Sequence, residues 1–170
     1  MDLKVLSITG TWEPNDAERQ AAWELYVELI TRITVVPLPA DHGLAREALN
    51  SMYSLFATTR EILRRHGPDL AAPKPTGQYN FAYLAVAILN LVLRPTLERW
   101  HPELEAWEND RPEGTSRWQH ERNWPRYREF RAELETTRSY LSRWAALLAK
   151  VNEIPDLSDA IPAVRAEAEG

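Results

Sequence analysis

Cysteine is absent from this chain, which removes disulfides and thiolate metal sites from consideration. Glycine occurs only six times in 170 residues, in no phosphate-cradling pattern, and neither a Walker motif nor a nucleophile elbow is present. The first residues, MDLKVLSITG, lack the basic leader and apolar core of a secretory signal. The longest apolar run, 81–93, is shorter than the roughly 20 residues that a hydrocarbon span requires. A cytoplasmic protein with no membrane contact is therefore expected. The net charge of −5 argues against a general nucleic-acid binder.

What is present is helical. The run FAYLAVAILNLVL at 81–93 is apolar on nearly every side, so it is expected as a central rod wrapped by other helices. Asn15 and Glu18 stand at capping-box spacing behind Pro14 and predict the start of a first helix, whose stripe Ala22, Leu25, Leu29, Ile33 and Val36 runs to Pro37. A second helix shows Leu44, Ala48, Met52, Leu55, Thr59 and Ile62 on one face. It stops at Arg64-Arg65-His66-Gly67-Pro68, with cations in the last turn, then glycine, then proline. A third runs from about Gln78 to Trp107, kinked where Pro95 and Pro102 each remove a backbone donor. A fourth begins at Ser116, in capping spacing with Gln119, and continues past Pro125 to about Asn152.

These lengths predict an all-α, antiparallel four-helix bundle over 1–152 whose long, kinked second hairpin overhangs the first through about 99–126. Residues 1–13 are expected as a short extended arm. Its segment LKVLSIT is β-prone and is expected to pair with Ile33–Val36 or with another subunit. The acidic, proline-containing stretch 153–170 is expected as a flexible tail.

Four of the seven tryptophans fall in the overhang. Trp100, Trp107, Trp118 and Trp124, with Arg111, are the candidate protein-binding surface, since large apolar side chains on a projection mark binding sites. The same residues also suit a self-zipped hairpin. Glu98, Glu103, Glu105, Glu108, Asp110 and Glu113 on one arm would face Arg117, Arg122, Arg126, Arg128 and Arg131 on the other, with Trp100 opposite residues 124–125 and Trp107 opposite Trp118 as the hairpin's own small core. The facing acids would neutralise the basic-aromatic run 117–131, so nucleic acid is not an expected partner.

Three weaker chemistries deserve residues. His101, Glu105 and His120 would place two imidazoles and a carboxylate together as a metal site, although no His-x3-His pair supports it. Tyr83 and Asn90, the polar members of the rod, are the candidates for a small-molecule pocket between helices, with Asn90 expected as a buried amide. Arg60 with His66, and Arg94 with His101, have a spacing similar to the Arg-x(4–6)-His of the helical HEPN ribonucleases. A chain with 17 arginines and four histidines gives about one such match by chance. The balance favours a non-catalytic helical adaptor or regulatory subunit of a bacterial assembly, without cofactor, whose partner is another protein subunit or a second copy. The alternatives are a small metal-dependent or HEPN-like RNA-cleaving enzyme, and a small-molecule sensor.

Overall fold

The structure is a computed structural model and describes residues 10–32, 35, 42–155 and 157. The fold is all-α. The helices are α1 (Asp16–Ile30), α2 (Ala45–His66), α3 (Phe81–Ile88), α4 (Arg94–Asn109), α5 (Arg117–Arg122) and α6 (Tyr127–Val151). A π-helical turn at Leu89–Leu93 joins α3 and α4, so Phe81–Asn109 is one continuous helix and the helices number five among the described residues. Two strands of two residues, β1 (Thr11–Trp12) and β2 (Gln78–Tyr79), pair in parallel. The segment 3–9 and most of 33–36, invoked for the arm, lie outside the described residues, as does most of the expected tail 153–170. The chain's entry is nonetheless anchored, because Thr11 N–H donates to Gly77 O at 2.9 Å.

Helix α1 starts where its capping box demands. Glu18 N–H donates to Asn15 Oδ1 and Asn15 N–H donates to Glu18 Oε2, both at 2.8 Å. It ends at Ile30, earlier than Pro37. Helix α2 buries Ala48, Met52, Leu55, Thr59 and Ile62 as its periodicity requires and stops at Gly67, whose φ of 71° suits a residue without Cβ. Pro125 does more than bend the last helix: α5 and α6 are separate, divided at Asn123–Arg126.

The core helix is two-sided, contrary to the expectation of a rod wrapped all round. Phe81, Leu84, Ala85, Ile88, Leu89, Val92 and Leu93 are buried. Tyr83, Val86 and Leu91 are 53%, 42% and 62% exposed. By length and composition Phe81–Asn109 could cross a membrane, and half of that apolar window is buried inside the protein. The π turn sits immediately before Pro95, and Arg94 N–H reaches back five residues to Leu89 O. The wider turn makes room for a proline ring that would clash with the carbonyl one α-turn earlier.

One buried carboxylate joins the pieces. Glu18 is fully buried; besides the Asn15 amide it accepts Lys74 Nζ at 2.7 Å, Phe81 N–H at 2.8 Å and Trp12 Nε1–H at 3.4 Å. Trp12 in turn stacks on Trp144 of α6 at 6.0 Å and lies 6.1 Å from Phe81. Removing one member of a buried, bonded charge cluster costs about 3–5 kcal/mol. Urea denaturation of Glu18→Ala should show a loss of that size, with Glu18→Gln losing less because it keeps an acceptor oxygen. A loss under about 1 kcal/mol for Glu18→Ala would contradict this role.

Candidate functional site

Among the described residues, two clefts and one helix face present chemistry to solvent. The first cleft, of about 470 Å³, lies at the end of the second hairpin and includes Arg46, Glu47, Trp107, Glu108, His120 and Glu121 in its lining. The expected overhang is not free here, because the start of α2 covers it. Arg46 donates to Glu108, with an ion-pair distance of 2.6 Å, and both Glu121 carboxylate oxygens lie 2.8 Å from Ala45 N. Leu44, the N-cap of α2, has no side-chain acceptor of its own. Glu121 supplies one from 76 residues away, at the electropositive helix end. Burial, ahead of the lowering bond from Ala45, pushes the Glu121 carboxyl up from its ordinary range.

The tip tryptophans are mostly spent inside. Trp100 is fully buried, edge-on to Trp124 at 5.6 Å and to Phe130 at 5.5 Å, with the Arg99 and Arg126 guanidiniums over its ring at 4.5 and 4.7 Å. Trp124 is buried with it. Trp107 pairs with His120 rather than with Trp118: the rings stack at 4.6 Å, Trp107 Nε1–H donates to His120 O, and His120 Nε2–H donates to Trp107 O. Trp118 is 48% exposed, with the Arg122 guanidinium 4.8 Å from its ring. Arg111 is exposed and donates to Thr115 O. The facing charges zip in part: Arg126 bonds Glu103, and Arg99 bonds Glu129 and Glu133 in the reverse sense. Glu108 has gone to Arg46 instead.

The proposed metal residues are not brought together. His120 is committed to Trp107, Glu105 is exposed, and no group of three or more potential ligands exists among the described residues. His101 belongs to the second cleft.

That cleft, of about 520 Å³, lies between α2 and the π turn. From α2 come Tyr53, Phe56 and Arg60; from the core helix come Leu89, Asn90, Arg94, Leu97, Glu98 and His101. Asn90 is exposed rather than buried, and its amide is used locally: Nδ2 donates to Val86 O, and Oδ1 accepts Arg94 Nε–H at 2.8 Å. Tyr83, its expected partner, stacks on Tyr79 at 5.0 Å and does not line the cleft. Of the Arg–His pairs, Arg94 and His101 share the cleft, whereas His66 bonds Glu24 of α1 at 2.9 Å and leaves Arg60 behind. The cleft itself was not legible as such. Its signals were Asn90 and the two Arg–His spacings, which supplied residues of both walls without showing that Arg60 and Arg94 face one cleft.

His101 Nδ1 lies 2.9 Å from Arg46, and a guanidinium can only donate, so Nδ1 is the acceptor and the neutral ring carries its proton on Nε2. That N–H is buried with no partner among the described residues, while the ring stands edge-on to Tyr53 at 6.0 Å. Burial first, and then the Arg46 charge, hold the His101 pKa below its ordinary 6.5, against smaller raising effects of Glu105 and Glu108. Comparison of the chain with family models, with curated proteins and with solved structures finds no match.

A histidine whose pKa is lowered on folding takes up fewer protons than the unfolded chain below pH 6.5, so acidification through that point withdraws stability. Thermal unfolding between pH 7.5 and 5.5 should therefore show a steeper loss for the native protein than for His101→Gln. Identical slopes would contradict the lowered pKa.

Proposed function

We propose that this chain is a non-catalytic helical adaptor or regulatory subunit that docks another protein subunit of a cytoplasmic assembly. The observation that carries it is the outward face of the core helix. On that face Tyr83, Val86 and Leu91 stand exposed at helical spacing, on the same rod whose opposite side is core. Apolar side chains left in a row on one helix are what an amphipathic helix of a partner covers, through anchors at i, i+3, i+4 and i+7. Arg94 continues the face, and Arg60 stands across the adjacent cleft, so acidic flanks on that helix complement it. Trp118 is the tip's contribution to such a surface, since the other tryptophans there serve the interior.

The scaffold behind the face we take to be the antiparallel four-helix arrangement, with α5 a short insertion. Two orders of contact support it. Arg46 meets Glu108, Tyr53 meets His101 and Arg94 lies over Phe56, so α2 and the core helix meet in reversed order. Thr137 bonds Thr96 at 3.1 Å while Glu129 bonds Arg99, which is likewise reversed.

Leu91→Glu changes an exposed residue, so its stability should stay within about 0.5 kcal/mol of the native chain. Tagged native protein purified from its own cells should carry a stoichiometric protein subunit, and Leu91→Glu should elute without it. A native chain that elutes alone, or a Leu91→Glu chain that keeps the subunit, would contradict docking on this face.

A further inference from the structure

The cleft beside the π turn holds more positive charge than its surroundings neutralise. Arg60 uses only Nε, donated to Phe56 O at 3.1 Å, and no carboxylate lies within ion-pair distance of it among the described residues. Arg94 is pre-oriented by Asn90, and its Glu98 partner stands at 3.7 Å, beyond hydrogen-bond reach, with both side chains largely exposed. The Arg94 guanidinium lies 5.5 Å from the centre of the Phe56 ring, so the cationic and apolar walls adjoin. Leu89 and Leu97 continue the apolar lining, and His101 closes one end of it.

Planar guanidiniums offer forked donors that match phosphate and carboxylate oxygens, and an adjoining aromatic wall favours a ligand whose body is not itself polar. We propose that this cleft binds an organic anion, its phosphate or carboxylate held between Arg60 and Arg94 and its apolar or aromatic body laid against Phe56 and Tyr53. Glu98 opposes such a ligand by its charge. The π turn sets this site, because it places Asn90 and Arg94 on the outer side of the helix while Leu89 stays buried. The site shares Arg60 and Arg94 with the margin of the partner-docking face, but anion binding is measured on the chain alone and so is read whether or not that face binds a protein.

The test is calorimetric titration of the full chain with phenyl phosphate and with inorganic phosphate, alongside sedimentation with vesicles of phosphatidic acid or of phosphatidylcholine. Phenyl phosphate should bind more tightly than inorganic phosphate. Arg60→Gln and Arg94→Gln should each weaken it about tenfold or more, and Glu98→Gln should tighten it. All three side chains are exposed, so melting temperatures should match the native chain and separate lost binding from lost folding. Sedimentation with phosphatidic acid alone, dependent on Arg60 and without uptake of phenyl phosphate, assigns the same chemistry to a lipid headgroup. The proposal is overturned if neither probe binds, or if affinity is indifferent to Arg60→Gln and Arg94→Gln.

Discussion

The structure depends on a carboxylate that has no water. Glu18 is fully buried, and an ion taken out of water costs several kcal/mol unless its lone pairs are matched. Here they are matched by four groups: the Trp12 indole, the Asn15 amide, the Lys74 ammonium and the Phe81 amide. Each fixes something different. Trp12 brings β1 and, through its stack on Trp144, α6; Asn15 closes the capping box of α1; Lys74 pins the proline-rich linker; Phe81 is the first residue of the core helix. The short parallel pairing of Thr11–Trp12 with Gln78–Tyr79 is then a consequence of anchors already set.

Glu121 repeats the device at the other end. A helix start buried without acceptors leaves amide donors unpaired, and α2 begins at a leucine cap that can offer none. Glu121 covers Ala45 N and so holds the start of α2 against the second hairpin. Two glutamates from distant sequence thus each satisfy the first amide of another helix, and they position the core helix and α2, the two elements that form the cleft.

How far the sequence foretold this varies with the range of the interaction. The Asn15–Glu18 box and the Gly67 stop are local, and both were legible residue by residue. The bonds of Glu18 to Phe81 and of Glu121 to Ala45 span 63 and 76 residues, and no local pattern announces them. The run 81–93 misled because nearly every position is apolar: periodicity is invisible where both faces carry the same residue type, so the exposure of Tyr83, Val86 and Leu91 could not be read. Pro95 signalled a disturbance, but the π turn that answers it depends on packing. At the tip, counting back from the loop sets Trp100 opposite 124–125, and Trp100 does meet Trp124 in the hairpin's interior, whereas Trp107 takes His120 rather than Trp118 as its partner. Nearer the loop the pairing register is set by side-chain fit and departs from the count.

A buried Glu18 carboxylate locks the start of the helix whose outer face we propose as the docking surface. The first amides of an isolated helix have no intrahelical acceptor and exchange quickly with solvent. Native-state hydrogen exchange at the Phe81 amide tests the lock directly. Protection equal to that of the slowest amides in α6, lost only on global unfolding, is the result expected. Exchange of Phe81 as fast as that of an open helix end would show that Glu18 does not hold it.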